Sequence, residues 1–174
     1  SNRNENLTQK KHRRRQGIYY AIPTLHNPTG AIWSMEEKQS FYEVCKSLSL
    51  PIIEDDVYCE LAFEELTPSL KSIDTAGQVL YLGSMSKTLS PGLRIGWVIA
   101  STPVIKRLAD IKMQMDYGSS AFSQEIVTYW LTTGLYEQHV EQLRQELKRR
   151  AALMEKLLNR YFTSIATWQS PKGG

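Results

Sequence analysis

The chain has 174 residues, of which 41% are hydrophobic and 22% charged, a composition typical of a soluble globular domain with one modest core. No apolar run approaches the roughly 20 residues that span a bilayer, and the polar, basic start contains no signal peptide, so the sequence predicts a cytoplasmic protein without a membrane partner. Cys45 and Cys59 lack the spacing of metal ligands and fit a reducing compartment, which argues against a metal site and a disulfide.

The formal net charge of +3 is unevenly distributed along the chain. Six lysines and arginines against one glutamate give residues 1–20 a charge of +5, so the remainder carries −2. The basic run at residues 10–15 is compatible with nucleic-acid binding. It lacks the interleaved aromatic residues that stack on bases, however, so the solvated end of a helix or loop is the favoured interpretation.

Four short runs rich in β-branched and aromatic residues predict strands. These runs lie at about residues 18–22, 51–55, 79–83 and 94–100. A helical pattern at residues 35–48 separates the first two, with Ser34 as N-cap and Glu36 and Glu37 in the first turn. The alternation of strand and helix predicts parallel pairing with right-handed crossovers. The buried face of this helix is expected to contain Phe41, Val44, Cys45 and Leu48.

Residues 64–76 are predicted as a loop, and three further helices follow the fourth strand. The first two are expected at about residues 103–115 and 122–131, with Ser120 as the N-cap of the second. The last helix is expected at residues 136–161, where apolar side chains recur at spacings of three and four. Such a stripe packs against an apolar neighbour, and a helix that joins two domains of one fold is favoured over a coiled coil.

Three polar motifs each lie just past the C-terminal end of a predicted strand. They are Asn27-Pro28-Thr29-Gly30, Asp55-Asp56-Val57-Tyr58 and Ser84-Met85-Ser86-Lys87. Each motif alone has a simple explanation, such as a turn, an acidic helix start or a solvated strand end. Ligands of open α/β sheets bind outside the carboxyl ends of the strands, so three motifs at that edge predict a binding site.

Lys87 is the candidate catalytic residue of this site. A lysine that forms a Schiff base must be held next to a carbonyl group and must lose its proton. Ser84, Ser86 and Arg94 lie near it in the sequence, and hydroxyls with a guanidinium are suitable groups for binding a phosphate. Together these residues indicate pyridoxal 5'-phosphate (PLP) as the cofactor.

The pyridine ring and phenolic oxygen of PLP require two further kinds of group, and the other motifs contain both. A carboxylate such as Asp55 keeps the pyridine nitrogen protonated by charge pairing, and Tyr58 and Asn27 can donate hydrogen bonds to the phenolic oxygen. With the cofactor as an electron sink, Lys87 would move a proton from the substrate Cα. Simpler alternatives stay open, because Tyr58 can merely pack and Arg94 can pair with a surface carboxylate.

These motifs resemble those of the class I/II aminotransferases of PLP fold type I. The resemblance implies an α/β fold, namely part of the large domain with a mostly parallel sheet, flanking helices and a long interdomain helix. It implies that Lys87 is the Schiff-base lysine, and that the family's frequent cis peptide falls at Asn27–Pro28. It also assigns six further residues to the cofactor: Asn27, Asp55, Tyr58, Ser84, Ser86 and Arg94.

A finer resemblance is carried by residues 53–61 and 91–97, which are similar to the aminotransferase-like domain of MocR regulators. These GntR-superfamily transcription factors join a winged-helix DNA-binding domain to a PLP-binding domain. The resemblance implies a homodimer that senses an amino acid or other amino compound and binds DNA only through an N-terminal domain outside this chain. The alternative is a free-standing amino acid aminotransferase of the aminoadipate/kynurenine type; a remnant whose lysine has no chemical role is disfavoured.

The resemblance also predicts how the chain divides. Residues 1–16 are expected to be a basic leader or helix remnant, residues 17–134 the C-terminal half of the large PLP-binding domain, and residues 135–174 the interdomain helix with the start of a truncated small domain. The chain is short for this family and is therefore expected to be an internal fragment, inactive by itself. The arginine that binds the substrate carboxylate and the residue that stacks on the pyridine ring are expected outside it.

Overall fold

A four-stranded sheet lies at the centre of the computed structural model, which describes residues 17–174. Its strands, in spatial order, are β1 (Tyr19–Ala21), β2 (Ile52–Asp55), β3 (Val79–Ser84) and β4 (Gly96–Ile99). The first three strands are parallel, as predicted, but β4 is antiparallel to β3. The segment between them, residues 85–95, is shorter than the roughly twelve or more residues that a parallel crossover requires. The predicted α/β fold with a mostly parallel sheet is confirmed.

Within residues 17–174, four α-helices accompany the sheet, namely α1 (Met35–Ser47), α2 (Thr102–Asp116), α3 (Ala121–Thr132) and α4 (Leu135–Tyr161). All four agree with the sequence predictions to within one residue at each end. The predicted loop at residues 64–76 contains one 3₁₀ turn, Lys71–Ile73, and others lie at Cys59–Leu61 and Pro91–Leu93. In this described part of the chain, no helix is long and apolar enough to cross a membrane.

Two predicted serine caps fix where helices begin. The Ser34 hydroxyl accepts the backbone N–H of Glu37 at 3.2 Å, and the Glu37 carboxylate accepts the N–H of Ser34 at 2.7 Å, so α1 begins with a reciprocal capping box. At the start of α3, the Ser120 hydroxyl accepts the N–H of Ser123 at 3.2 Å. Both N-cap predictions are confirmed.

The first core cluster, called here the Tyr42 cluster, lies between α1 and one face of the sheet. The predicted buried face of α1 is partly wrong, because Val44 is 55% and Leu48 66% exposed. The helix instead turns Lys38, Tyr42 and Cys45 inward, residues that lie on one face of a helix. The members of the cluster are Ala21, Tyr42, Cys45, Ile52, Leu70 and Val79.

The second core cluster, called here the Tyr136 cluster, lies between α3, α4 and the segment that follows β3. Its buried members are Met85, Val127, Tyr136 and Val140, with Leu89, Leu93, Ile95 and Trp130 packed around them. Met85 lies two residues before Lys87, so this cluster supports the lysine-bearing segment.

Two close approaches require glycine. A Cβ atom at Gly83, on β3, would overlap the indole ring of Trp97, its partner on β4. A Cβ at Gly173 would lie 2.7 Å from the carbonyl oxygen of Leu61, where the chain forms a bridge between Ala62 and Gly173. The end of the chain thus packs on the turn that follows Tyr58. The predicted basic leader, residues 1–16, lies outside the described residues, and the predicted division at residue 135 stays a prediction.

Candidate functional site

The three polar motifs meet at one edge of the sheet. Asp55 is the last residue of β2 and Ser84 the last of β3, and Asn27 follows the end of β1. Because β1, β2 and β3 run parallel, their carboxyl ends share that edge. The predicted convergence of the motifs is therefore present in the fold.

Lys87 and Tyr58 are brought together at this edge. The Lys87 ammonium nitrogen lies 5.5 Å from the centre of the Tyr58 ring, a distance at which a cation and an aromatic face attract. Lys87 is exposed, whereas Tyr58 is half-buried. The amine of Lys87 is thus placed beside the phenol ring of Tyr58 at the edge where the motifs meet.

Asp55 is oriented by two hydrogen bonds. Its Oδ2 accepts the hydroxyl of Tyr20, and its Oδ1 accepts the backbone N–H of Val57 at 3.3 Å. The bond to Asp55, followed by burial and the charge of Asp55, raises the pKa of Tyr20 to about 12. Sequence reasoning missed Tyr20. The contact depends on the register between β1 and β2, which only the structure gives. Tyr20 pairs with Ile53, and side chains two apart on a strand share a face, so Tyr20 and Asp55 lie on the same face of the sheet.

The candidate phosphate ligands differ in how free their hydrogen-bonding groups are. The Ser84 hydroxyl donates its proton to the carbonyl oxygen of Ile95 at 3.2 Å and accepts the N–H of Ser86 at 3.1 Å. The Ser86 hydroxyl makes no hydrogen bond within the described residues. Arg94 adopts the left-handed conformation at φ 57°, and among residues 17–174 its guanidinium donates only to the Pro91 carbonyl, at 3.5 Å. Ser86 and Arg94 can therefore bind an anion without breaking strong existing bonds.

Asn27 lies in a tight exposed turn, and the expected cis peptide at Asn27–Pro28 is present. The turn is closed by the N–H of Gly30, which donates to the His26 carbonyl at 2.6 Å, and by a 2.9 Å contact between His26 Nδ1 and the Thr29 hydroxyl. The side chain of Asn27 has no hydrogen-bond partner in the part of the chain that the structure describes. The structure thus brings Asn27 to the correct edge without bonding it to Tyr58 or Lys87.

Beneath this edge lies a buried set of charges. The ammonium of Lys38 is fully buried and donates to the carbonyl oxygens of Thr67 at 3.2 Å and Pro68 at 2.9 Å. Burial lowers the pKa of Lys38, and the charges of Glu54 and Asp56 act in the opposite direction. The negative charges of Glu54 and Asp56 thus favour the ammonium form of Lys38 without fully offsetting the cost of its burial.

Glu54 lies on the face of β2 opposite to Asp55, and Asp56, the residue after β2, is also buried. Glu54 accepts the backbone N–H groups of Leu70 at 2.7 Å and Lys71 at 2.8 Å, which fixes the loop before β3. Asp56 accepts the Tyr81 hydroxyl at 3.1 Å through Oδ2, while its Oδ1 has no partner among residues 17–174. Burial raises the pKa of Glu54 and that of Asp56. Of the two adjacent aspartates, Asp56 therefore belongs to the interior and Asp55 lies at the edge that carries the candidate site.

The groups at this edge have complementary chemistry. Lys87 provides an amine that can bond a carbonyl, Asp55 a carboxylate that can pair with a cationic ring nitrogen, and Tyr58 a phenol that can bond an oxygen. Ser86 and Arg94 provide donors for a phosphate. This donor set fits PLP.

The amino-acid sequence matches a protein family described as aminotransferase class I and II over residues 4–173. An uncharacterized HTH-type transcriptional regulator, YdfD of Bacillus subtilis (strain 168), is 50% identical over 171 residues, which cover 98% of this chain and 36% of that protein. The HTH-type transcriptional regulator NorG of Staphylococcus aureus (strain USA300) is 41% identical over 155 residues, covering 89% of this chain and 35% of NorG. The chain thus spans about a third of the length of these relatives.

Two solved structures with a similar fold are aminotransferases. The kynurenine aminotransferase of Pyrococcus horikoshii superposes with a TM-score of 0.87 at 28% identity, over 98% of this chain and 42% of that chain. LysN, the α-aminoadipate aminotransferase of Thermus thermophilus, superposes with a TM-score of 0.85 at 30% identity, over 98% and 44%. The predicted resemblance to aminotransferases, and to the aminotransferase-like part of transcriptional regulators, is confirmed.

Proposed function

This chain belongs to the aminotransferase class I and II family, and we propose that it is part of the PLP-binding, ligand-sensing domain of a MocR-type regulator of the GntR superfamily. The curated relatives support this proposal, because YdfD and NorG are both HTH-type transcriptional regulators. In such a protein a separate N-terminal segment binds DNA. The domain described here binds an amino acid or another amino compound.

The proximity of Lys87 to Tyr58 is the observation that carries the cofactor assignment. The ammonium lies 5.5 Å from the phenol ring, at the sheet edge that also contains the Asp55 carboxylate. Lys87 would hold PLP covalently, Asp55 would pair with its pyridine nitrogen, and Tyr58 with Asn27 would donate to its phenolic oxygen. Lys87 and Tyr58 are thus two candidate residues from different motifs whose side chains lie together.

The phosphate of PLP would lie against the segment that follows β3. Ser86 and Arg94 are free to donate to it, whereas Ser84 would first have to release the Ile95 carbonyl. Ser84 remains a ligand in this proposal because its hydroxyl accepts the N–H of Ser86 at 3.1 Å and so lies close to the backbone of that second candidate ligand.

Bound PLP supplies an electron sink for the bonds at the substrate Cα. Lys87 is the group in this chain that can accept a proton from that carbon, since its amine is the base next to the site. A sensor requires only that an amino compound bind reversibly in this site, where its amine would compete with that of Lys87, and change the shape of the domain. We further propose that the protein is a cytoplasmic homodimer.

A free-standing aminotransferase is the second candidate. The similarity to the kynurenine and α-aminoadipate aminotransferases, at 28% and 30% identity, favours it. The two candidates differ in what the complete reading frame encodes and does. A helix-turn-helix segment, with DNA binding that changes when an amino compound is added, supports the regulator; steady amino-group transfer to a 2-oxo acid without such a segment supports the enzyme.

Lys87→Ala tests the cofactor assignment directly. The protein expressed from its complete reading frame is titrated with PLP, reduced with borohydride and digested, and the modified peptide is identified by mass spectrometry. We expect a visible absorption band and a single reduced adduct on Lys87. Both should be lost in Lys87→Ala, because this substitution removes the amine that lies beside Tyr58.

Lys112→Ala is the matched control. Lys112 is an exposed lysine on α2 that pairs with Asp116 at 2.7 Å and belongs to none of the three motifs of the candidate site. In Lys112→Ala we expect the absorption band and the adduct on Lys87 at wild-type levels. Equal labelling of Lys87 and Lys112, or no adduct on Lys87, would contradict the assignment. The same titration of residues 1–174 alone tests the expectation that this chain needs further segments to bind PLP.

A further inference from the structure

The hydroxyl of Tyr136 contacts two segments that are far apart in the sequence. Tyr136 is the second residue of α4 and is only 5% exposed. Its Oη lies 2.6 Å from Oε2 of Glu60 and 2.8 Å from Oγ1 of Thr88. Because a phenol has one proton and a carboxylate can only accept, Tyr136 donates to Glu60 and accepts from the hydroxyl of Thr88.

These two partners adjoin the residues at the centre of the candidate site. Glu60 lies two residues after Tyr58, in the 3₁₀ turn Cys59–Leu61, and Thr88 directly follows Lys87. A single buried phenol therefore joins the segment that carries Tyr58 to the segment that carries Lys87.

Two other side chains of α4 bind the backbone of the same segments. The carbonyl oxygen of Thr88 lies 2.9 Å from Nε2 of His139, which must therefore carry the ring proton. The carbonyl oxygen of Glu60 accepts from Nε and Nη2 of Arg144 at 3.3 and 3.1 Å. Each segment is thus held by α4 twice, once through its side chain and once through its backbone.

Packing around Tyr136 separates the role of the ring from that of the hydroxyl. The ring belongs to the Tyr136 cluster with Met85, Val127 and Val140, and Thr88 is 1% exposed. Phenylalanine would retain that packing and remove both hydrogen bonds, so the hydroxyl can be tested without creating a cavity.

We propose that Tyr136 is a positioning residue that sets the placement of Lys87 relative to Tyr58 by tying together Thr88 and Glu60. This inference rests on the proposed PLP function and extends it to a residue of α4 that does not touch the cofactor. Without the two hydrogen bonds, each segment keeps its own fold, but their mutual placement varies. The amine and the phenol would then meet the same ligand less often in the productive arrangement.

Tyr136→Phe and Tyr42→Phe form a matched pair for the test. Tyr42 is also a buried tyrosine, 1% exposed, with a hydrogen-bonded hydroxyl, but its partners lie in residues 74–76, before β3. Both variants are made in the protein expressed from its complete reading frame. Hydrogen exchange without PLP, PLP affinity, and the pH at which the visible absorption band of the loaded protein changes are measured for each.

We expect Tyr136→Phe to speed exchange in peptides covering residues 58–62 and 85–90 and to weaken PLP binding by roughly five- to tenfold, the effect of losing one or two buried hydrogen bonds. The pH midpoint of the absorption band should also rise, because a displaced Tyr58 stabilises the anionic phenolic oxygen less. Tyr42→Phe should speed exchange at residues 74–79 and leave PLP affinity and the midpoint unchanged.

The outcomes separate the two proposals. PLP binding on Lys87 in the wild type, with affinity and midpoint unchanged in Tyr136→Phe or changed equally by Tyr42→Phe, would overturn the role of Tyr136 alone. Absence of PLP on Lys87 in the wild type would overturn the proposed function and with it this role toward the cofactor. The exchange rates, measured without PLP, still report whether Tyr136 couples the two segments.

Discussion

The Tyr42 cluster and the Tyr136 cluster each bury one tyrosine that bonds a carboxylate, yet the two hydroxyls hold different parts of the chain. Tyr42 donates to Oδ1 of Asp74 at 3.2 Å and accepts the N–H groups of Thr75 at 2.9 Å and Ala76 at 3.1 Å. These partners are consecutive residues of one loop. Tyr136 bonds Glu60 and Thr88, which precede it by 76 and 48 residues.

This difference divides the fold into a part that contributes to stability alone and a part that also positions the candidate site. The Tyr42 side satisfies the backbone of the connection between β2 and β3 and contains no residue of the candidate site. The Tyr136 side joins the segments that carry Tyr58 and Lys87. Changes on the first side should therefore lower the free energy of unfolding without altering the site, and changes on the second should do both.

Lys38→Met should produce the largest effect on the Tyr42 side. It removes a buried ammonium that donates hydrogen bonds to two backbone carbonyls and whose charge is favoured by those of Glu54 and Asp56. Removing one partner of a buried charge set leaves the others uncompensated, so we expect a loss of about 3 kcal/mol in the free energy of unfolding. Equilibrium urea unfolding of the two proteins measures it.

Lys46→Met is the control for that substitution. Lys46 lies on the same helix but is exposed, and its nearest carboxylate oxygen, on Glu43, is 3.8 Å away. Exposed pairs of this kind contribute little, so its unfolding midpoint should stay near that of the wild type. An equal loss of unfolding free energy in Lys38→Met and Lys46→Met would contradict a stabilising role of the buried Lys38 ammonium.

Asp74→Asn should have an intermediate effect that depends on pH. Burial alone would raise the pKa of Asp74, but hydrogen bonds from Lys71 and from the N–H groups of Val79 and Gln78 outweigh it and lower the pKa from 3.8 to about 2. As the pH falls, Asp74 is therefore protonated in the unfolded chain, where its pKa is higher, before it is protonated in the folded protein. The carboxylate therefore stabilises the fold fully above about pH 4 by about 1–2 kcal/mol, and this contribution is lost as pH falls through about 2.

Urea unfolding at several pH values checks this prediction. The difference between wild type and Asp74→Asn should be largest near neutral pH and shrink between about pH 4 and 2. Asp116→Asn is the comparison, since Asp116 also pairs with a lysine, Lys112, but at the surface of α2. A difference that stays constant with pH, or an equal loss in Asp116→Asn, would argue against a buried carboxylate as the cause.

Strand ends and their motifs were predictable from the sequence because they depend on local patterns. Parallel strands share a carboxyl edge, so motifs that follow β1, β2 and β3 had to meet. Alternation along β2, continued by one residue past its end, also distinguishes two neighbouring aspartates: Asp56 is buried like Glu54, whereas Asp55 shares the face of Ile53.

Contacts between distant segments were not predictable in this way. The apolar pattern of α1 favoured Val44 and Leu48 as core residues, yet Lys38 and Tyr42 are buried because a loop some 30 residues later supplies their partners. Tyr20 and Tyr136 were missed for the same reason. The antiparallel direction of β4 follows from a short connection rather than from any property of the strand itself.

Helix caps provide the smallest expected effect and a last comparison of the two sides. Ser34 begins α1 with two reciprocal hydrogen bonds, whereas Ser120 begins α3 with a single bond to the N–H of Ser123. We expect Ser34→Ala to lower the free energy of unfolding by about 1 kcal/mol and Ser120→Ala by about 0.5 kcal/mol. Faster hydrogen exchange should be confined to the first turn of α1 in the former and of α3 in the latter. Because α3 packs on Tyr136 and α1 does not, only Ser120→Ala should also speed exchange near residues 85–90; the reverse pattern would contradict the division between the two clusters.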